Sequence, residues 1–366
     1  MYLDTAATKY HIDEEIWDKC YALAKEGLGN PSSLHQVGVR AKNIMNHARK
    51  EIAKSIRAKA DQIIFFDSAT EANNYLQRCF DFVTARSVEH SSMNVFDIYD
   101  IDNSKELNKS CFTHIMASNI TGEIFNIKDM VKKVNMSRGY KEYFHTDATS
   151  AYGRINIDVN DLGVDFMTFP SSHKLGLFGG CCPLYVRDKD CLKTFGTGGE
   201  QEGGFHRGTE NVMAIYSYGL YAQRINENPE FMIENDPCLV DKNKDIISFI
   251  KDIFNSELGD SWKICYFTPS TIKTMIPIIL VAFKDIDAET LQIVLSNREI
   301  YVSTLSACSS GKKDDRILSK LHLPDDFKNG TIRISWDERA EKELIENDIK
   351  EIAALVKKMQ GLKDIR

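Results

Sequence analysis

Over its first 225 residues this chain alternates short apolar runs with segments of helical periodicity, and that alternation narrows the folds open to it most. Ile63-Ile64-Phe65-Phe66 reads as a strand buried on both faces. Runs of the same kind recur at Phe112 to Ala117, Tyr143 to Asp147, Asp165 to Phe169 and Cys182 to Val186. Gln36 to Arg57 carries apolar residues at helical spacing and follows the breakers Gly29-Asn30-Pro31-Ser32-Ser33; Thr70 to Phe82 reads as a second helix. Strands separated by helices must cross over, which predicts an α/β fold with a mainly parallel sheet covered on both faces.

After Ile225 the texture changes. Asn226 to Asp236 is polar, contains Pro229 and suits a connector. Beyond it the pattern reads helix (Cys238 to Leu258), strand (Ile276 to Phe283), helix (Ala288 to Asn297), strand (Tyr301 to Leu305), strand (Thr331 to Trp336) and helix (Glu338 to Gln360). That is a smaller α+β domain. No internal repeat or low-complexity stretch interrupts the chain.

Charge and cysteine content exclude several functions. A net charge of −7 with no strongly basic stretch argues against a nucleic-acid partner. The opening Met1 to Glu15 has no apolar signal region, and no apolar run approaches a membrane span, so a cytoplasmic protein without membrane contact is expected. Nine cysteines without a secretory signal point to a reducing compartment. Cys181 and Cys182, adjacent in an apolar run, read as packing residues, and no Cys/His set has ligand spacing, so no metal is expected.

Six constellations carry chemistry. Ser171-Ser172-His173-Lys174 directly follows a strand, at the sheet edge where α/β proteins bind ligands, and a neutral lysine there can form a Schiff base. Ser68-Ala69-Thr70 turns a strand into a helix, whose N-terminus favours phosphate. Asp147 ends another strand, where a carboxylate can keep a pyridinium nitrogen protonated. His90 in Val88-Glu89-His90-Ser91-Ser92 can stack on an aromatic ring or shuttle a proton. Cys308 lies among small polar residues with Lys312 and Lys313 behind it, a setting that favours thiolate. Gly198-Gly199-Glu200 followed by Arg207-Gly208-Thr209 is a polar loop with a hydroxyl suited to phosphate. Each position also has an ordinary reading as surface lysine, helix cap, turn carboxylate, packing imidazole, idle thiol or connector. Taken one at a time, the residues leave both readings open.

Their order and spacing resemble the cysteine desulfurases of the class V aminotransferase family, pyridoxal-phosphate (PLP) enzymes of fold type I. Tyr2 to Thr8 resembles the family's opening YLDNAAT, and Gly29 to His35 (GNPSSLH) matches its pattern. SATEANN at 68–74 resembles the phosphate loop GATEANN, and VEHSS the segment of the ring-stacking histidine. SNITGEI at 118–124 is a weaker form of NNETGxI; HTDATSAYG, SSHK and RGTENV resemble HxDAxQxxG, SGHK and RxGTxNV. SACSSG at 306–311 matches the catalytic-cysteine loop, and TIRISW at 331–336 resembles IRISL. The resemblance spans almost the whole chain.

The resemblance implies a large PLP-binding domain at 15–225. It also implies a small C-terminal domain at 226–366, which takes in residues 1–14 and carries the cysteine loop. Lys174 would hold PLP covalently and move the proton. Ala69, Thr70, Ser171, Ser172 and His173 would line the phosphate side, and Thr209 would reach the cofactor of a partner subunit in a homodimer. His90 would stack on the ring, Asp147 would face its nitrogen, and Asn119 and Ser150 would lie near its hydroxyl. Arg333 and Asn30 would bind substrate. Cys308 would take sulfur from L-cysteine as a persulfide, releasing alanine and passing the sulfur to an acceptor protein, as in iron–sulfur cluster assembly. Selenocysteine lyase or aminotransferase chemistry on the same fold, or a weakly active partner in a sulfur-transfer complex, are the alternatives.

The chain also departs from the family pattern. Ser150 stands at the family's glutamine, His206-Arg207 displaces its arginine by one place, Pro170 precedes SSHK, Leu305 replaces a glycine, and the stretch from Asn74 to Asn119 is short.

Overall fold

The computed structural model describes residues 1–85, 88–93, 110–137, 142–267, 276–305 and 315–363. They form two compact units. The larger comprises His11–Met116 and Phe125–Met232; the smaller comprises Met1–Tyr10, Ala117–Ile124 and Ile233–Arg366.

In the larger unit the elements run α1 (Glu14–Glu26), α2 (Gln36–Lys54), β1 (Ile63–Phe66), α3 (Ala69–Cys79), β2 (Phe82–Ala85), β3 (Ser110–Thr113), α4 (Ile127–Ser137), β4 (Tyr143–Asp147), α5 (Val159–Leu162), β5 (Phe166–Thr168), β6 (Cys182–Val186) and α6 (Val212–Glu227). The sheet order is β1-β6-β5-β4-β3-β2. β2, β3, β4 and β5 pair in parallel, while β6 is antiparallel to both β5 and β1. Five of the six strands therefore share one direction, and β6 alone opposes them. The consequence for function is direct: β1, β2, β4 and β5 all open their carboxyl ends on one edge, where α/β sheets bind ligands.

The helix read over Thr70 to Phe82 ends earlier, at Cys79. Phe80 turns extended (φ −111, ψ 150) and buries its ring edge-on against Phe166 at 5.5 Å. Phe82 then begins β2, a strand the periodicity does not reveal. α3 packs Ala72, Tyr75, Leu76 and Cys79 on a core with Ile64, Phe66, Phe166, Cys182 and Leu184. On α6, Gly219 is required by close approach to α2: a Cβ there would lie 2.5 Å from Ala48 Cβ.

The smaller unit continues with α7 (Pro237–Leu258), β7 (Trp262–Ile264), β8 (Ile278–Phe283), α8 (Ala288–Ser296), β9 (Ser303–Thr304), α9 (Asp315–Lys320), α10 (Asp325–Lys328), β10 (Thr331–Ser335) and α11 (Lys342–Lys363). Its antiparallel sheet has the order β7-β8-β10-β9. Phe254, Ile279, Val281, Trp336, Ile349 and Ile352 centre its core. The N-terminal segment lies along this sheet, with Leu3 N donating to Tyr301 O at 2.8 Å and Thr5 N to Ser335 O at 3.3 Å. Residues 117–124 return as a tight turn: Gly122 adopts φ +77, and a Cβ there would meet Ile278 O at 2.1 Å. Only glycine fits that combination.

Candidate active site

The residues read as a phosphate cradle meet beyond the ends of β1 and β5. Ser68 leaves β1 in extended backbone and caps α3, its side chain accepting from Glu71 N. Ala69 N donates to Ser171 Oγ at 2.8 Å, which ties the helix N-terminus to the SSHK loop 102 residues away. Ser172 is 0% exposed, and its Oγ has no hydrogen-bond partner among the described residues. Ser172 N donates to Cys181 O and Lys174 N to Ser171 O, so the loop is held through its backbone. Gly176 closes it with φ +75. Lys174 is half-buried; Thr70 and His173 are exposed. Although the residue is exposed as a whole, partial desolvation of its ring, and secondly Lys174, push the His173 imidazole down.

A second cluster is buried beneath this edge. Asp147, at the end of β4 and 4% exposed, accepts from Thr149 N at 2.8 Å on Oδ1 and from Asn73 Nδ2 at 3.1 Å on Oδ2. Asn73 on α3 is fully buried; its Nδ2 also donates to Ser92 Oγ at 2.9 Å, and its Oδ1 accepts from Thr168 Oγ1 at 2.7 Å. Ser92 Oγ lies 2.9 Å from Nδ1 of His90, which is exposed. Thr168 Oγ1 lies 2.9 Å from His145 Nε2, and His145 Nδ1 lies 2.7 Å from Thr113 Oγ1. Burial holds the His145 imidazole down at about 4, so it is neutral near pH 7. Glu89, buried beside Asp147, accepts from Ile115 N at 2.6 Å; burial first, and Asp147 second, push its carboxyl well up.

The remaining expected residues are distributed between the two units. In the larger, Ser150 is buried with its carbonyl accepting from Arg154 Nη1, Asn30 is exposed with Oδ1 accepting from Ser32 N, and Thr209 is exposed. In the smaller, Arg333 is 2% exposed; its Nη2 pairs with Asp4 Oδ1 at 2.6 Å and its Nη1 donates to Asn119 O at 3.1 Å. Cys308 lies outside the described residues. His206 Nε2 sits 3.4 Å from Glu71 and 3.8 Å from Asp67. Among the described residues these three are the one cluster of metal-type ligands, and ion pairing accounts for it.

Sequence reasoning missed Asn73, Ser92, Thr168 and Asp4 as partners. For Asn73 a signal existed: it lies four residues after Ala69 on α3, one turn behind the helix N-terminus. Thr168 is the register partner of Asp147, which no spacing rule reveals.

The fold agrees with what known proteins show. The class-V aminotransferase family model matches residues 1–94 and 83–347, so the chain belongs to that family. The cysteine desulfurase IscS of Dictyoglomus turgidum is 27% identical over 99% of this chain and 96% of its own length. Its counterpart in Methanosarcina thermophila is 25% identical over 99% and 93%. A NifS-like protein from Rickettsia africae shares the fold with a TM-score of 0.80 at 24% identity, covering 97% of this chain and 99% of that one. The fold is therefore that of the NifS-like, fold type I enzymes.

The cofactor of this family is PLP. The residues present fit it on two observations. The buried Ser172 hydroxyl has no partner among the described residues, and it follows Ser171, which is tied to Ala69 N at the N-terminus of α3, where a phosphate is favoured. Each Asp147 oxygen accepts one described N–H, from Thr149 or from Asn73, which leaves carboxylate acceptor capacity at the end of β4 for a protonated ring nitrogen.

Proposed function

We propose that the protein is a PLP-dependent L-cysteine desulfurase that releases alanine and carries the sulfur as a persulfide on Cys308. The observation that carries this reading is that its curated relatives named cysteine desulfurase align with 99% of the chain. When bound, the cofactor withdraws electrons from the substrate's α-carbon.

The chain's own groups do the rest. Lys174 holds the cofactor covalently and exchanges the α-proton. The α3 N-terminus at Ala69 and Thr70, with Ser171, Ser172 and His173, binds phosphate, and Thr209 completes this binding from a partner subunit in a homodimer. Asp147 keeps the ring nitrogen protonated, and His90 lies against the ring. Asn119 and Ser150 lie on the ring-hydroxyl side; serine is shorter than the family's glutamine, so a water can bridge the gap. Arg333, fixed by Asp4, binds the substrate carboxylate, with Asn30 beside the substrate. Cys308 attacks the substrate sulfur; the carbon–sulfur bond breaks, its electron pair stays with carbon, and protonation gives alanine. The net change is L-cysteine plus thiol to alanine plus persulfide. An acceptor protein then removes the sulfur.

We place this activity in the cytoplasm, a reducing compartment that suits a chain of nine cysteines. The test is incubation of the purified protein with L-cysteine and a thiol reductant. Alanine and sulfide in equal amounts are expected. Amino transfer to a keto acid without sulfide would replace this reading with an aminotransferase, and a colourless protein that takes up no PLP would remove the enzyme altogether.

A further inference from the structure

The buried polar cluster around Asn73 has one consistent direction of hydrogen bonding. Asn73 must turn its amide nitrogen toward Asp147, because the reverse would set two acceptor oxygens 3.1 Å apart. Its Oδ1 then accepts the single hydroxyl proton of Thr168 at 2.7 Å. Thr168, its proton committed, accepts from His145 Nε2–H, and His145 Nδ1 accepts from Thr113. On the other branch Ser92 Oγ accepts from Asn73 and donates to His90 Nδ1. Ser92 N donates to the same nitrogen at 3.2 Å, so Nδ1 of His90 accepts two hydrogen bonds and carries no proton. A neutral His90 is therefore the Nε2–H tautomer.

We propose that Asn73 is a positioning residue that couples the two ends of the ring site: one amide proton fixes the Asp147 carboxylate, and the other, through Ser92, sets the tautomer of His90. This rests on the functional reading for what Asp147 and His90 touch, but not for the proton arrangement itself. The two residues lie 74 positions from each other's reach along the chain, Asn73 on α3 and Asp147 on β4, and a single side chain serves both. Asn73 is wholly buried and every polar atom of its amide is engaged, so no water exchange loosens it. Both donations leave the same amide nitrogen, so the charge on Asp147 alters the strength of the donation toward Ser92, and a change at one end is felt at the other.

The test reads histidine ring ¹⁵N shifts in the full-length protein, with and without PLP, alongside the visible absorption of the bound cofactor. In the wild type His90 and His145 are both expected as Nε2–H. Ser92→Ala leaves Nδ1 only the longer donation from the backbone N–H of residue 92, and is expected to let some Nδ1–H tautomer of His90 appear beside Nε2–H while leaving the Asp147 branch and cofactor affinity in place. Asn73→Asp sets a carboxylate against Asp147 and draws the Ser92 hydroxyl proton away from His90; it is expected to change the His90 tautomer, displace the cofactor's absorption band and weaken PLP binding about tenfold, the size of one hydrogen bond to a charged group. Nδ1–H at His90 in the wild type overturns the proposal, whether or not either variant folds. So does an Asn73→Asp protein of native circular dichroism with unchanged tautomer and absorption. If the wild type takes up no PLP, the functional reading fails, and the tautomer measurement on the cofactor-free protein still decides this one.

Discussion

Asp4 is 20% exposed at its side chain and holds the guanidinium of Arg333, which is almost completely enclosed. An arginine so placed recognises a carboxylate well only while its fork is fixed. Asp4→Ala is expected to raise KM for L-cysteine about tenfold with a smaller change in kcat, the loss of one charge-assisted hydrogen bond. Asp4→Asn keeps an acceptor oxygen and is expected to restore most of the affinity; equal KM values for both variants and wild type would show that Arg333 needs no such support. His206 offers a prediction about pH. Its hydrogen bond to Glu71 raises the imidazole from the ordinary 6.5 against the opposing effect of burial. The same bond lowers Glu71 from 4.5, again against burial. The histidine's contribution to stability is complete below its unfolded value and is lost as pH rises through the raised folded value. The carboxylate's contribution is present above its unfolded value and is lost as pH falls through the depressed one. The pair is thus most stabilising between about pH 4.5 and 6.5, modestly so because Glu71 is 42% exposed and screened by solvent. His206→Gln is expected to remove the decline in unfolding free energy above about pH 6.5, as measured by urea denaturation across pH; an unchanged profile would assign that decline elsewhere.

At the scale of elements, the pairing of α2 with α6 sets two effects against each other. Gly219→Ala gains about 1 kcal/mol of helix propensity, but its Cβ would stand 2.5 Å from Ala48 Cβ and 2.6 Å from Ala48 Cα. Overpacking of this kind costs about 1–3 kcal/mol, and because the neighbouring atoms include backbone rather than a flexible tip, the clash is expected to win. Calorimetry should show a lowered Tm; a raised one would mean the helices part without penalty. What was legible in the sequence follows the same physics. β1 and β6 announce themselves because strands buried on both faces are continuously apolar. β2, whose Phe82 and Ala85 are only partly buried, has no such run and merges into the preceding helix pattern. The sense of β6 was not readable, because a strand's residues do not record its direction. Motifs at strand ends were readable because five strands share one direction and deliver them to one edge. Ser92 and Thr168 were not, since their roles exist only as contacts to Asn73 across 19 and 95 residues of chain; Asn73 itself could be placed by its helical spacing from Ala69, but its partners could not.

For the molecule as a whole, each unit has its own core, one built on a mostly parallel sheet and the other on an antiparallel one. The segment Ala117–Ile124 belongs to the smaller unit although it interrupts the larger one in sequence, which no single boundary along the chain can represent. The residues of the proposed chemistry belong to both: Lys174, Asp147 and His90 to the larger unit, Asn119, Arg333 and Cys308 to the smaller. All of it converges on the claim that Cys308 receives sulfur from L-cysteine, and a single turnover tests that claim most directly. PLP-loaded protein mixed with one equivalent of L-cysteine per site, without reductant, should yield one alanine per site and a persulfide on the peptide that contains Cys308, while Cys308→Ser keeps its bound cofactor and forms neither product. Alanine released at the wild-type rate by Cys308→Ser, or a persulfide found on another cysteine, would contradict the account.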